Sequence, residues 1–594
     1  MVHYKIELAD VYAHLFEVTL TLSAPAAQQQ FSLPVWIPGS YMVREFSRHL
    51  GPIRARQGTR ELPVRQLSKC DWQVDCSGRA ALVLQYQVYA FDTSVRTAFL
   101  DAQRGFFNAS SLCLRALGRE HEPQQLTLAR LPAGWQVATA MRRQAAEGTQ
   151  GALSFEASDY DELIDHPFEL GTFWRGSFEA RGVPHEFIVS GALPVFDGAR
   201  LLRDAQRICE AQIDFWHAEP GKRKSQKPGE AAPFDRYVFL LNAVDDSYGG
   251  LEHRSSTALI ASRRDLPQLG QTDLSEGYVR LLGLISHEYF HTWNVKRLKP
   301  AEFVAFDYQR ENYTELLWFF EGFTSYYDDL FLVRSGLINA PRYLKLLTAT
   351  LNGVLAAPGR LRQSVAQSSF EAWTKYYRQD ENSPNAVVSY YTKGALIALS
   401  LDLSLRTQGK AASTLDELMR ALWRRQQGGP LAQDDVSAVV TELGGSALAQ
   451  ELLQWVHGTA DLPLPALMAR AGVAWGSDKA PFAQRLGLRL TEGAAGLVIK
   501  QVLHGTPAHA AGLSAGDEIL ASNDWRIKRA EDIMLTLGGN PHAGVELLVS
   551  RDQRVLRLSL QMPAAHHAGA AVTLSLADRP SAPVLSLRKA WLGA

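Results

Sequence analysis

The segment His287-Glu288-Tyr289-Phe290-His291 constrains the fold more than any other part of the chain. It lies in an apolar run that predicts one long helix over residues 278–298. Residues four apart share a helix face, so the two imidazoles can bind one metal ion while Glu288 leans over the open side of that ion. The alternative is a helix with two partly buried histidines and a solvated glutamate. The apolar flanks favour the metal site, because burying these three groups is costly unless something satisfies them.

A catalytic zinc ion needs three protein ligands and one exchangeable water. The best third candidate is Glu321, a lone carboxylate inside an aromatic run in the next predicted helix, residues 315–333. Desolvation would penalise that carboxylate, and zinc ligation would compensate it. Two alternatives stay open: Glu321 pairs with Arg310, or Glu315 is the ligand, although a position at the start of the helix suits Glu315 to a first-turn role.

A glycine pair lies upstream of the histidines, directly after a predicted buried strand at residues 236–244. Gly249 and Gly250 would let a ligand backbone come close, and a strand edge can bind an extended peptide. Glu252 follows the pair, and the residues alone fit a surface glutamate at a tight turn equally well.

Four tyrosines belong to two pairs in the second half of the chain. Tyr390 and Tyr391 precede a predicted helix, a place where a tyrosine more often packs than reacts. Tyr376 and Tyr377 carry no motif, and we interpret both as structural.

Changes of periodicity along the chain predict a multidomain α+β protein. Alternating short runs at the N-terminus indicate a β-sandwich or saddle, a helix-rich stretch follows the zinc motif, and strands return near residue 475. The predicted domains are an N-terminal β domain at 1–174, a catalytic α/β domain at 175–334, an α-helical domain completing the cleft at 335–475, and a β domain with a C-terminal tail at 476–594. Residues 217–235 are predicted to form a solvated loop, and the residues after 563 an irregular tail.

Composition excludes several classes of partner. The 594 residues carry 61 basic and 62 acidic side chains, a net charge of -1, which removes the electrostatic argument for nucleic acid or an anionic membrane. A membrane-spanning helix is not expected, because every window of about 20 residues contains charged or polar groups. The 4 cysteines are too sparse for a disulfide framework. With an N-terminus that alternates like a strand, these features predict a cytoplasmic protein, while a leader lost from the sequence stays open.

Longer motifs resemble the glycyl aminopeptidase family of gluzincin zinc metallopeptidases, relatives of aminopeptidase N. The resemblance rests on HEYFHTWNVKRLKP, WFFEGFTSYY, LPVWIPGSYMVREFSRH and YGGLEH, and it extends over essentially the whole chain. It implies a thermolysin-like catalytic domain, zinc bound by His287, His291 and Glu321, and Glu288 as the general base. The interval between His291 and Glu321 is longer than in the aminopeptidase N group proper, which points to the glycyl branch.

The same resemblance implies the substrate contacts. Glu252 would bind the free α-ammonium of a peptide, with Gly249 and Gly250 beside the peptide backbone. Tyr391, in the sequence YTKG, would donate a hydrogen bond to the oxyanion of the tetrahedral intermediate. His253 departs from the asparagine usual in the larger group. The implied activity is a zinc aminopeptidase that releases small N-terminal residues, glycine and alanine.

The C-terminal strands resemble a PDZ domain through RLGL at 485–488 and GTPAHAAGLSAGDEIL at 505–520. Such domains bind an extended segment beside a strand and hold a terminal carboxylate with loop amides. A substrate tail, the C-terminus of a partner protein and purely structural docking are comparable expectations. Two other functions compete with the aminopeptidase: a zinc endopeptidase with the same site, and a PDZ adaptor with an inactive peptidase scaffold. The adaptor is disfavoured because the base, all three proposed ligands and the tyrosine are present.

Overall fold

The computed structural model describes residues 1–144, 152–217, 232–408, 413–493, 496–538, 544–562 and 570–593. Two compact units divide the chain: Met1–Asn312 with Trp423–Leu431, and Tyr313–Leu422 with Ala432–Ala594. Most of the predicted loop at 217–235 lies outside the described residues. Among the residues that are described, no helix is both long enough and apolar enough to cross a membrane.

The N-terminal part of the first unit is built from β-sheets, as its alternating sequence predicts. Along β2 (Leu15–Leu22) every second side chain is buried, which is the pattern of a strand that packs one face against a core. An eight-stranded sheet has the order β14-β15-β12-β1-β2-β8-β4-β5, and two four-stranded sheets have the orders β13-β16-β10-β9 and β11-β3-β7-β6. The elements are β1 (Val2–Asp10), β2 (Leu15–Leu22), β3 (Gln28–Ser32), β4 (Arg54–Gln57), β5 (Arg60–Leu62), β6 (Val64–Gln66), β7 (Asp71–Asp75), β8 (Leu82–Tyr89), β9 (Ala98–Leu100), β10 (Arg104–Asn108), α1 (Ala109–Leu112), β11 (Arg115–Ala116), β12 (Gln124–Ala129), β13 (Gln136–Ala138), β14 (Arg142–Arg143), β15 (Leu153–Ala157), α2 (Tyr160–Ile164) and β16 (Pro167–Gly171).

A five-stranded sheet and two helices, α3 and α4, follow in the first unit. The sheet order is β17-β18-β19-β21-β20, so β20 is an edge strand, antiparallel to β21. The central strand β19 pairs in parallel with both neighbours and is buried along nearly its whole length, which matches its apolar sequence. The elements are β17 (Trp174–Ala180), β18 (Val183–Ser190), α3 (Gly198–His217), β19 (Tyr237–Val244), β20 (Tyr248–Glu252), β21 (Ser256–Ser262), α4 (Glu276–Phe290) and β22 (Lys299–Pro300).

The helix that carries the histidines is shorter than the sequence predicts. Helix α4 ends at Phe290, with His291 as its C-cap, so the expectation of one helix over 278–298 is wrong at its C-terminal end. The backbone instead turns back: Lys296 N donates to His291 O at 3.1 Å, and Val295 has a φ of 133°. The turn brings Asn294 O to 2.7 Å from His291 Nδ1, a contact that fixes the orientation of the imidazole.

Helices dominate the first part of the second unit. Helix α5 (Leu317–Arg334) and helix α9 (Thr392–Gln408) cross closely at two glycines. An ideal Cβ on Gly322 would lie only 2.6 Å from Gly394 Cα. This approach explains both the glycine in the aromatic run and the glycine of YTKG. The elements are α5 (Leu317–Arg334), α6 (Ala340–Leu355), α7 (Val365–Phe370), a π-helix (Ala372–Tyr376), α8 (Ser383–Ala386), α9 (Thr392–Gln408), α10 (Leu415–Gln426), β23 (Pro430–Leu431), α11 (Gln433–Gly444), α12 (Ser446–His457) and α13 (Leu464–Arg470), of which β23 and the end of α10 belong to the first unit.

The C-terminal part of the second unit contains a sheet of order β25-β26-β27-β29-β30, with β28 beside β27. The prediction of an irregular tail is wrong for residues 570–593. There the strand Ala570–Leu576 pairs with Val473–Lys479, and the helix Ala582–Leu592 buries Trp591. Residues 563–569 lie outside the described part of the chain. The elements are β24 (Val473–Lys479), α14 (Phe482–Leu486), β25 (Leu488–Gly493), β26 (Gly496–Val502), α15 (Pro507–Ala510), β27 (Glu518–Ser522), β28 (Trp525–Arg526), α16 (Asp532–Leu535), β29 (Val545–Arg551), β30 (Arg554–Leu560), β31 (Ala570–Leu576) and α17 (Ala582–Leu592).

Candidate active site

Two imidazoles meet at the C-terminal end of α4. The Nε2 atoms of His287 and His291 lie 3.0 Å apart. Because Asn294 O can only accept a hydrogen bond, His291 Nδ1 carries the proton and the Nε2 lone pair faces His287. A backbone carbonyl that fixes the tautomer in this way is a common support for a metal-binding histidine.

Polar contacts from neighbouring elements hold the end of α4 in place. Gln212 Nε2 donates to Ser286 O at 2.8 Å, which ties α3 to the turn before the first histidine. On the buried side of the motif, the Tyr289 hydroxyl lies 2.9 Å from His185 Nε2 on β18. Contacts from α3 and from β18 therefore hold the part of α4 that carries the two histidines.

Glu321 lies on α5 and is 2% exposed. His287, His291 and Glu321 form a group whose metal-ligand atoms all lie within 4.8 Å of one another. Two imidazoles and one carboxylate are the donor set of a catalytic zinc site, so the residues present fit this ion. The alternatives from the sequence are not supported, because the Arg310 guanidinium contacts Asp307 at 2.7 Å and Glu315 is exposed and precedes α5.

Glu288 lies against the edge strand β20. An ideal Cβ on Gly250 would be 2.1 Å from Glu288 Oε1, so only glycine leaves room for the carboxylate. Glu288 is 5% exposed, and the neighbouring Gly249 has no atom closer than 3.7 Å to an ideal Cβ. Gly250, rather than Gly249, is therefore the position at which the backbone of β20 and the Glu288 carboxylate come close.

Glu252 lies two residues further along β20 and is 4% exposed. Both of its carboxylate oxygens are 2.6 Å from the ideal Cβ position of Gly39, whose φ of 92° also requires glycine. A surface glutamate at a turn is thereby excluded. No local sequence pattern marks Gly39 as a site residue, although it belongs to the motif LPVWIPGSYM.

A second carboxylate that the sequence did not reveal supports the segment after Glu252. Asp165, which follows α2, accepts a hydrogen bond from Arg254 N at 2.9 Å. It also forms an ion pair with Lys296 Nζ at 2.6 Å. His253 Nδ1 lies 3.4 Å from the same carboxylate. These residues line a cavity of about 70 Å³ beside Glu252. The N-terminal β-sheet domain thus contributes both Gly39 and Asp165 to the surroundings of Glu252.

Tyr391 belongs to a tyrosine cluster at the start of α9. Burial raises the pKa of its hydroxyl well above the usual range, and the negative charge of Glu321 raises it further. The hydroxyl is therefore a neutral hydrogen-bond donor at ordinary pH. Tyr377, which the sequence indicated as structural, places its hydroxyl oxygen 3.2 Å from that of Tyr391.

Family models match three parts of the chain. Residues 3–172 match the peptidase M61 N-terminal domain, residues 280–397 the M61 glycyl aminopeptidase, and residues 484–562 a PDZ domain. A comparison with curated proteins finds no match.

Two solved structures are similar to this chain, and only the first is similar enough to support the family. The crystal structure of an aminopeptidase N family protein from Idiomarina loihiensis is 38% identical, covers 100% of both chains and has a TM-score of 0.91. An M1 zinc metallopeptidase from Deinococcus radiodurans is 16% identical over 78% of this chain and 95% of its own, with a TM-score of 0.47.

Fold and site together define a zinc metallo-aminopeptidase with a C-terminal PDZ domain. Within that class, the chain belongs to the M61 glycyl aminopeptidase family. The solved relative that is 38% identical over its whole length is described as an aminopeptidase N family protein.

Proposed function

We propose that the enzyme removes single small residues, glycine and alanine, from peptides with a free N-terminus. In this proposal Glu288 is the general base, Tyr391 stabilises the oxyanion and Glu252 binds the α-ammonium group. Gly249 and Gly250 lie beside the peptide backbone. The preference for small residues rests on the family, and the residue roles rest on the arguments that follow.

The spacing along β20 carries the proposal. Gly250, which touches Glu288, and Glu252 are two residues apart and therefore face the same side of an extended strand, about 6–7 Å from each other. That separation is suited to a substrate whose ammonium group binds at Glu252 while its first carbonyl lies near Glu288. Gly39 lies against both carboxylate oxygens of Glu252, so the backbone of the N-terminal part of the chain closes one side of this carboxylate.

Each residue has a defined part in the reaction. Glu288 accepts the proton of the attacking water and returns it to the leaving amine. Tyr391 donates a hydrogen bond to the carbonyl oxygen as negative charge develops on it. Zinc, held by His287, His291 and Glu321, supplies a lowered pKa of the water and polarisation of the carbonyl when it is bound.

A fixed carboxylate at the ammonium site favours binding of a free N-terminus and disfavours binding of an internal peptide bond. The test compares glycine and alanine anilides with their N-acetylated forms, with bulky-residue anilides as a third set. We expect hydrolysis of the free-amine glycine and alanine substrates only, its loss with a chelator and its return with zinc.

Three other results would each overturn part of the proposal. Equal cleavage of acetylated substrates would make the enzyme an endopeptidase. Absence of hydrolysis by protein with one zinc per chain would favour the adaptor. Faster release of bulky residues than of glycine would contradict the small-residue preference.

We also propose that the PDZ domain binds the free C-terminus of a substrate or partner along β25. Two features support this: β25 is an edge strand, and Gly487 in the preceding turn has a φ of 79°. Peptide substrates with a free C-terminal carboxylate should have a lower KM than amidated peptides of the same sequence. The difference should vanish in Leu490→Lys, which alters the face of β25, and a difference that survives this substitution would locate carboxylate recognition elsewhere.

A further inference from the structure

Four tyrosines form one cluster in the second unit. The Tyr376 ring lies 4.6 Å from that of Tyr390 and 5.6 Å from that of Tyr391, measured between centroids. Tyr390 and Tyr391 stack at 4.7 Å, and Tyr377 joins the cluster beside Tyr376 at 6.0 Å. Ring packing accounts for the aromatic faces, but it does not account for where the hydroxyl groups point.

The hydroxyl groups of the cluster have different partners. Tyr377 OH lies 3.2 Å from Tyr391 OH, whereas Tyr376 OH lies 3.0 Å from Ser389 Oγ. A tyrosine hydroxyl has one proton to donate and lone pairs with which to accept. Between Tyr377 and Tyr391, therefore, only one of the two can donate to the other at any time.

We infer that Tyr377 is a positioning residue that donates its hydrogen bond to Tyr391 and so directs the Tyr391 proton toward the reacting carbonyl oxygen. This inference rests on the proposed role of Tyr391. If Tyr391 donated to Tyr377, its proton would be unavailable to the oxyanion. A hydroxyl that accepts one hydrogen bond also becomes a stronger donor in the next, because the bonds polarise one another.

The backbone that precedes Tyr377 is specialised. Ala372–Tyr376 form a π-helix, and Tyr377 N donates to Ala372 O at 3.0 Å, a bond that spans five residues instead of four. The additional residue in the turn changes the direction of the side chain that follows. Single π-turns within helical segments occur frequently at functional sites.

Tyr377→Phe keeps the ring and removes the hydroxyl, and Tyr376→Phe is the matched control in the same cluster. With a glycine anilide as substrate, we expect Tyr377→Phe to lower kcat about tenfold at unchanged KM. Tyr376→Phe should stay within about twofold of the wild type in kcat, because its hydroxyl contacts Ser389 instead. Melting temperature and zinc content are measured for each variant.

A double-mutant cycle separates positioning from a general structural effect. In a Tyr391→Phe background, Tyr377→Phe should have almost no further effect on kcat, because the group it directs is gone. Equal losses in both backgrounds, an unchanged kcat in Tyr377→Phe, or an equal loss in Tyr376→Phe would each overturn the inference. If Tyr391→Phe itself keeps full kcat, the oxyanion role in the proposed function fails instead. Should Tyr377→Phe melt at a lower temperature, Tyr377→His restores a ring donor, and its failure to recover any kcat would also contradict the inference.

Discussion

Asp165 and Lys296 form a buried ion pair, with 2.6 Å between Oδ1 and Nζ and side chains 9% and 10% exposed. Burial alone would raise the pKa of Asp165, but Lys296 and His253 hold it well below its usual value. Because the pKa of Asp165 is lower in the folded than in the unfolded protein, its ionised form stabilises the fold. This stabilisation is complete above the unfolded-state pKa of about 4. That stabilisation is lost as the pH falls from there through the folded-state pKa.

Asp165→Asn leaves Lys296 as an unpaired buried charge, which should cost about 3 kcal/mol of stability. The melting temperature at pH 7 should therefore fall by several degrees. The gap to the wild type should begin to narrow as the pH falls below about 4, because the Asp165 carboxylate of the unfolded chain then takes up a proton while that of the folded chain stays ionised. Asp245→Asn is the control, since Asp245 and Arg264 are 3.7 Å apart and 81% and 80% exposed. A gap that stays constant down to pH 3 would contradict the assigned pKa direction.

Glu288→Gln should retain zinc and lose turnover by about a thousandfold, because the amide cannot accept the proton of the water. Zinc per chain is measured by atomic absorption and kcat with a glycine anilide. Glu276→Gln, at the exposed first turn of the same helix, is the matched control and should keep its activity. Full turnover in a zinc-loaded Glu288→Gln enzyme would remove Glu288 from the reaction.

Gly250→Ala tests the contact between β20 and Glu288, the proposed base. The new Cβ would lie 2.1 Å from Glu288 Oε1, so the carboxylate must move. We expect kcat to fall about a hundredfold at unchanged zinc content, since small misplacements of a catalytic group cost factors of this size. Gly249→Ala, whose Cβ would be 3.7 Å from the nearest protein atom, should lose far less kcat, and any effect of the new methyl group on peptide binding should appear in KM. Similar losses in both variants would indicate a general effect on the strand.

The sequence predicts the features that depend on local spacing. The pairing of His287 with His291 follows from helix geometry alone, and the candidate third ligand Glu321 stands out as a single carboxylate in an aromatic run. The alternating strands and the PDZ motif are local patterns of the same kind. The limits of the four domains, and the roles assigned to the site residues, stay predictions.

Other features required the folded chain. Gly39 touches Glu252 and Asp165 contacts Lys296, and each pair is separated by more than a hundred positions in the sequence, so no local pattern links them. The sequence does not show where α4 ends, because apolar residues continue past His291 although the backbone turns there and fixes the orientation of the imidazole.

The C-terminal helix α17 provides a further test, because its single tryptophan is an anchor. Trp591 is fully buried, and its Nε1 donates to Tyr326 OH at 2.9 Å. Tyr326 OH in turn donates to Asp402 at 2.6 Å, so α17, α5 and α9 share one chain of hydrogen bonds. Arg334 Nη2 also donates to Trp591 O at 3.0 Å.

Trp591→Ala should destabilise the second unit by about 3–5 kcal/mol, the usual cost of removing a large buried aromatic side chain. The hydrogen bond from Trp591 Nε1 to the Tyr326 hydroxyl is also lost, which lowers the stability further. The effect is measured as a lower melting temperature of the zinc-free protein, which separates it from stabilisation by the metal. Lys589→Ala on the exposed side of α17 is the control and should melt with the wild type. An unchanged melting temperature in Trp591→Ala would mean that α17 does not anchor α5.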